Sequence, residues 1–507
     1  MTPHEPTDRA PQWERLVSTA LVGTARRTIT TPPGLPERTE SAAALLDLAA
    51  LDTVRTRAGY TEHTATPIAS DEPDPRPEVG EAATHRLDLV LDHRSELLPE
   101  WLGLVVRSGR RVPHSRLPDL LERAARDSVL RPAVAAATGT RATWLAGFNK
   151  AWAFVTAEPL PGDVFVDEDW EKGTFGQRRR ALFALRAQNP AKAHELLAKT
   201  WPHERKGEVR RGLLDALEPH LEVEDAPLLD TALDDRNANV RGRALALITR
   251  LSDSAHAHRL RAHLREHLRV APDAPRPIGV DYLDTTRADL LRDLALATPE
   301  QGVRPDIERW ERTKVLVVHA PLDVWTDRFD TDPAGVLDLV EDHPELRDAL
   351  VESVCLHQDA EWARAVLDHA ELGLPHMFQA SVHKLNRPRI RSLLATLPPA
   401  ERCERMLAAL EQVKKHRTLG HALMAAETPW TRELSEAVIG RLLDPLDLTV
   451  PVNVPDHRAL AEAITAYMPP EHLDLLPEQP PYEEEAHTYL RLRDALRFRL
   501  DMHKELS

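Results

Sequence analysis

Along most of this chain apolar residues recur at three- and four-residue intervals, the spacing that lines one face of an α-helix. Trp13, Leu16, Val17, Ala20 and Leu21 form the first such stripe, with Pro11 suited to a first helical turn and Gly23 to the stop after the last. A second helix is predicted from Ser41 to about Arg57. Between Thr61 and Glu78 the pattern gives way to Pro, Asp, Glu and Thr, which cannot bury apolar surface and read as a mobile linker or a long loop. Short helices resume at Glu81 and run to about Trp152. Further on, Asn189-Pro190, Asp332-Pro333 and Thr428-Pro429 each set a capping side chain before a first-turn proline. Lys314–Val318 is apolar and short, and its pattern fits a strand or a buried helix equally. A long charged helix is expected from Tyr482 to Leu506, with Ala486, Leu490, Leu496 and Leu500 as part of a stripe, either capping a helical array or docking.

The stretch Gly176–Leu268 repeats itself. Helices Ala193–Thr200 and Val209–Leu217 are followed by Ala226–Leu233 and Val240–Leu251, and Val209-Arg210 recurs as Val240-Arg241 after 31 residues. A period in the thirties built from two helices marks an α-solenoid. Asp235 precedes Arg241, and Glu204 precedes Arg210, by six positions, so an acid in a loop and an arginine opening the next helix are placed to tie neighbouring repeats together.

The run from Leu233 through Asp234, Asp235, Arg236, Val240, Arg241 and Ala244 to Leu247 resembles a HEAT repeat. The whole chain also resembles an uncharacterised bacterial family, a domain of unknown function. The residues that carry this are Trp13, Leu16, Ala20, Leu21, Gly23, Thr24 and Arg26, then Gly139, Arg141, Trp144, Leu145, Ala146, Asn149 and Trp152, then Trp170 and Gly173. Lys150 stands where the family pattern has proline. The resemblance implies no chemistry, since no activity or catalytic residue is established for that family. It implies protein partners, because the genes of the family tend to lie beside those of a SWIM-type zinc-finger protein, a MoxR-type AAA+ ATPase and a von Willebrand factor A-domain protein.

Composition narrows the picture. The 507 residues carry 65 Lys and Arg against 81 Asp and Glu, a net charge of −16, which opposes a global nucleic-acid binder and leaves room for a local basic face. Two cysteines, Cys355 and Cys403, rule out a disulfide framework or a cysteine-built zinc site. Aromatic residues at 5% are poor material for a sandwich or barrel core. No apolar run approaches the ~20 residues that cross a bilayer, and the first ten residues lack the apolar core of a signal peptide, so a cytoplasmic chain is expected.

Candidate chemistry is sparse. His263-Leu264-Arg265-Glu266-His267 matches the inverted zinc-peptidase pattern, with two imidazoles one turn apart and a glutamate as base. Leu260, Leu264 and Leu268 run beside those histidines, Arg259, Arg261, Arg265 and Arg269 surround them, and no third ligand stands out, so packing is the plainer reading. Phosphate loops and nucleophile elbows are missing from the sequence. The best binding candidate is an edge of stacked helices carrying Arg179, Arg180, Arg210, Arg211, Arg241 and Arg243, diluted by Glu204, Glu208, Asp215, Asp234 and Asp235. Trp144, Trp152, Trp170 and Trp201 are expected at packed helix corners, with partner contact as the alternative.

The expectation is an all-α, HEAT/ARM-like α-solenoid of stacked antiparallel helix pairs in two lobes. Its parts are a helical segment 1–60, a linker 61–80, a helical region 81–164, HEAT-like repeats 165–270, an irregular connector 271–330 and a helical region 331–507. The expected function is a non-catalytic scaffold or adaptor for a protein partner, among them the ATPase, A-domain and zinc-finger proteins, with no cofactor and no metal. A nucleic-acid-binding solenoid, as in HEAT-like DNA glycosylases, is the first alternative, and a metallohydrolase through His263, Glu266 and His267 the second.

Overall fold

A computed structural model describes residues 10–27, 29, 38–58, 70–270, 278–284, 286–296, 305–374, 386–412, 420, 423–424, 427, 429–443, 455–479 and 486–507. The chain divides into two compact units, Met1–Ser70 and Asp71–Ser507.

The first unit pairs α1 (Ala10–Val22) with α2 (Ser41–Ala58). Gly23 ends α1 as expected, at φ 94°, with its N–H on the Thr19 carbonyl at 3.0 Å. Ala44 and Leu48 are buried, whereas Trp13, Val17, Leu21, Leu46 and Val54 remain exposed, so this hairpin covers little of its own apolar surface.

The second unit opens with a strap rather than a free linker. Residues 61–69 lie outside the described ones, but Asp71 accepts from Arg141 at 2.7 Å, and the Asp74 carboxylate accepts from the Thr140 N–H at 3.3 Å. Arg76 reaches the Ala136 carbonyl at 2.8 Å, and Val79 donates to the Arg111 carbonyl at 3.0 Å. Acids and prolines give this stretch little apolar surface to bury, yet its carboxylates and backbone have partners on the body, and the Asp74 side chain and Val79 are buried there. Gly139 makes that approach possible: it sits at φ 76°, and a Cβ there would collide with the Asp74 carboxylate.

Helices α3 (Glu81–His93), α4 (Leu98–Arg107), α5 (Leu117–Arg126), α6 (Arg131–Thr138) and α7 (Thr140–Ala146) surround a first core centred on Leu87, Trp101, Leu102 and Leu121. A second core lies among α8 (Asp167–Lys172), α9 (Phe175–Gln188), α10 (Pro190–Thr200), α11 (Gly207–Leu214), α12 (Ala226–Ala232) and α13 (Ala238–Ile248). Here the sequence repeat becomes geometry: α9, α11 and α13 stack in succession, α10 packs chiefly on α9, and α12 packs on α13. Asn189 caps α10 by accepting from the Lys192 N–H at 3.0 Å, as its proline-flanked position predicts.

The third core runs through the segment expected to be a connector. It includes α14 (Ala255–His267), the antiparallel pair β1 (Leu268–Val270) and β2 (Ile278–Val280), α15 (Ala288–Asp293), α16 (Pro305–His319) and α17 (Asp323–Phe329). It continues through α18 (Pro333–Leu339), α19 (Pro344–His357), α20 (Ala360–Asp368), α21 (Asn386–Ala395), α22 (Pro399–Gln412), α23 (Arg432–Leu442), α24 (Pro455–Tyr467) and α25 (Ala486–Leu506). Lys314–Val318 is the end of α16, with Leu316, Val317 and Val318 buried. No division into two lobes falls there, because α16 carries buried side chains of this core and places Val315 against the second. Asp332 caps α18 as expected; Thr431 caps α23, and Thr428 of the Thr428-Pro429 pair lies outside the described residues.

The stripe of α25 also differs from its sequence reading. Tyr489, Leu492, Leu496, Arg499, Met502 and Leu506 are buried, while Leu490 is exposed. An arginine takes the position where apolar periodicity would be sought, and the reason lies in what it meets.

Candidate functional site

The arginine edge is occupied by the protein itself. Arg180 grips Asp163 with Nε and Nη2 at 2.7 and 2.6 Å, Arg179 lies 3.7 Å from Glu158, and Arg243 pairs with Asp215 at 2.7 Å and Glu218 at 2.6 Å. Arg210 holds Asp235 with Nε and Nη2 at 2.5 and 2.7 Å, and Arg241 donates to the Asp235 carbonyl at 2.8 Å. Arg211 is exposed and, among the described residues, makes no ion pair.

Neighbouring repeats are tied together, with partners other than the six-residue spacing suggests. Arg210 and Arg241 donate to the main-chain carbonyls of Glu204 and Asp235, both at 2.8 Å, and so close their own loops. The carboxylates face back one repeat, Glu204 to Arg178 at 2.9 Å and Asp235 to Arg210. Burial raises the Asp235 carboxyl, but hydrogen bonds from Arg210 and the Asn237 N–H outweigh it and leave the group below its ordinary value. These arginines are fixed charges of the stack.

The histidine motif keeps His263 Nδ1 4.0 Å from the Glu266 carboxylate, but its three side chains turn to different partners. His263 is buried, and burial followed by the nearby Arg287 pushes its ring below the ordinary value. Glu266 points outward to Arg287 at 3.2 Å. His267 turns its Nδ1 onto the His263 carbonyl at 2.7 Å. Arg259 bridges Asp230 and Asp293, each at 2.6 Å, which ties α14 to α12 and α15. Among the described residues no group of three or more His, Cys, Asp or Glu side chains is placed to hold a metal. Trp170 and Trp201 are buried in the second core, Trp152 packs half-buried on the first, and Trp144 meets the exposed Phe148 edge-on at 4.8 Å.

A site that sequence reasoning missed forms where α25 meets α3 and α4. The Glu100 carboxylate of α4 receives Arg499 Nε and Nη2 at 2.7 and 2.8 Å and His503 Nε2 at 2.8 Å. Arg499 also donates to the Met468 carbonyl at 2.7 Å, so this buried guanidinium is well matched. Burial raises the Glu100 carboxyl, and the bonds from His503 and Arg499 more than reverse that. Arg86 of α3 pairs with Glu505 at 2.6 Å, and Arg94 with Asp494 at 2.5 Å. Both guanidinium groups lie over the Phe498 ring, 4.5 and 5.3 Å from its centre.

Beside this junction lies a cavity of about 1310 Å³, walled by the end of α3, by α4, Arg391 of α21, α24 and α25. Its lining mixes signs. Arg94, Arg391 and Arg499 are in ion pairs, while Arg107 and Arg491 are exposed and, among the described residues, unpaired. Glu96 and Glu471 bring negative charge, and Leu97, Met424, Leu492 and Ala495 supply apolar surface. The sequence clue was an arginine on the buried face of α25, readable only once a partner 399 residues away is known. Nothing in the local pattern names Glu100.

The residues that suggested a family have structural work. Gly139 allows the strap to approach, Arg141 holds Asp71, and Asn149 caps the short turn Lys150–Thr156 by accepting from the Ala151 N–H at 3.0 Å. Lys150 is the first residue of that turn, where proline fits equally well. No helix among the described residues is long and apolar enough to cross a membrane. No curated protein and no solved structure matches the chain. The family of unknown function DUF5691 matches residues 15–506, and the chain belongs to it.

Proposed function

We propose that the protein is a non-catalytic helical scaffold, with HEAT-like repeats as its frame, that holds a segment of a partner polypeptide in the cavity between α4 and α25. One observation carries the reading: a space of about 1310 Å³ lined by apolar side chains and by charges of both signs, of which Arg107 and Arg491 are unpaired among the described residues. A polypeptide offers the same mixture, and electrostatic complementarity of this kind sets specificity more than raw affinity. A polyanion would meet Glu96 and Glu471, both exposed, in the same lining. The nucleic-acid alternative also loses the edge that motivated it, since five of its six arginines are engaged within the stack. The gene neighbourhood of the resembled family supplies the first partners to test, the MoxR-type ATPase, the A-domain protein and the SWIM zinc-finger protein, and a cytosolic site follows from the ATPase.

Purified candidates are titrated against the protein by calorimetry. Arg107→Glu with Arg491→Glu is expected to weaken the productive pair by about tenfold or more, in keeping with about 1–3 kcal/mol for two hot-spot cations. Arg211→Glu, away from the cavity, is expected to leave affinity unchanged. Equal affinities for the cavity and control variants would move the site elsewhere, and no binding by any of the three proteins would remove the adaptor reading.

A further inference from the structure

We propose that α25 is a releasable latch whose outer half swings from α3 and α4 to open the cavity, so that ionic strength and the partner's own charges control access. Its regulatory role rests on the cavity being the partner's site. The motion itself does not.

Three observations carry it. First, α25 belongs to two cores: Tyr489, Leu492 and Leu496 pack in the third, and Met502 and Leu506 in the first. Besides Arg94–Asp494, its first half has ties of its own that do not involve α3 or α4, since Tyr489 Oη donates to the Pro477 carbonyl at 2.5 Å and Arg493 donates to the Leu476 carbonyl at 2.6 Å. The outer half can therefore leave without unfolding the helix base. Second, the outer half meets α3 and α4 with few buried aliphatic side chains and several ion pairs. Arg86–Glu505 and Arg86–Asp501 are part-exposed, with Asp501 retaining 44% side-chain exposure, whereas Arg499–Glu100 is set deeper, with Arg499 at 6%. Pairs of this kind are screened by salt and compete with any charged ligand. Third, Arg499 and His503, which clasp Glu100, also line the cavity, so a segment entering it reaches the clasp directly.

The test uses the full chain carrying spin labels at His85→Cys on α3 and Lys504→Cys on α25, both exposed positions, with Cys355→Ser and Cys403→Ala. Pulsed dipolar spectroscopy at low salt is expected to give one short distance. At about 1 M salt, where the screening length falls to about 3 Å, a second, longer population should grow about tenfold. Glu100→Gln should populate the same long distance at low salt. The charge-exchanged pair Arg86→Glu with Glu505→Arg should keep the short one, whereas Arg86→Glu alone loses it. Amide exchange in α9 to α13 is followed in parallel and should not change. One short distance under every condition would overturn the latch, and so would loss of protection in α9 to α13 along with opening. No partner is present in these measurements, so a latch that fails leaves the calorimetric result standing, and the reverse holds too.

Discussion

Removing Asp225 tests how the stacked helices are held in register. Arg186 of α9 and Asp225, just before α12, are both fully buried, with side-chain exposures of 1% and 0%. Arg186 Nη1 lies 3.0 Å from one Asp225 oxygen and Nη2 pairs with the other, while the guanidinium also reaches the Pro190 and His220 carbonyls. Asp225 accepts in addition from the Glu222 N–H at 3.1 Å. In Asp225→Ala the guanidinium keeps two carbonyls but loses its counter-charge out of reach of water. Breaking a buried pair from one side costs about 3–5 kcal/mol, a large part of the roughly 5–15 kcal/mol that holds a domain together. Arg186→Met in the same chain removes the orphaned charge, and most of the loss should return, because apolar replacement of a buried pair is often close to neutral. Urea titration followed by far-UV circular dichroism gives both values from midpoint and slope. A loss below about 1 kcal/mol for Asp225→Ala, or a double variant no more stable than the single one, would refute the reasoning.

The largest histidine contributions to acid sensitivity should come from His319 and His357. Burial, with His357 and His256 nearby, holds His319 down at about 3, and burial holds His357 at about 4. Both rings stay neutral when folded and take up protons when unfolded, so stability should fall as pH drops below about 6.5, by up to about 1.4 kcal/mol per pH unit and histidine; their share of the fall should end near pH 3–4, where the depressed carboxyls such as Asp235 and Glu100 take over. Midpoints for His357→Gln should show a shallower slope over that window, and an unchanged slope would count against this origin. Gly139→Ala should cost about 1–3 kcal/mol through its left-handed backbone and the displaced Asp74, and should expose the strap to protease ahead of global unfolding. Equal proteolysis of variant and parent at the strap would contradict that role.

Helices, their caps and the repeat were legible because they rest on local chemistry. Asn189 and Asp332 cap wherever they are found before a first-turn proline, and a 31-residue recurrence of Val-Arg needs no knowledge of the rest of the chain. Partner choice was not legible. That loop acids and helix-opening arginines link neighbouring repeats was legible, but not which arginine each acid takes: the Asp235 carboxylate pairs with Arg210 of the preceding repeat, while Arg241, six positions on, takes the Asp235 carbonyl. On α25 the buried face contains Arg499, which no apolar pattern includes, because its fitness for that position depends on Glu100. Sequence alone therefore determined that this chain makes amphipathic helices in stacked pairs, since periodicity and capping act within a few residues. Only the tertiary structure decided which charges spend themselves inside the stack and which face the cavity, because an ion pair is set by distance in space, and 399 residues separate the two ends of the decisive one.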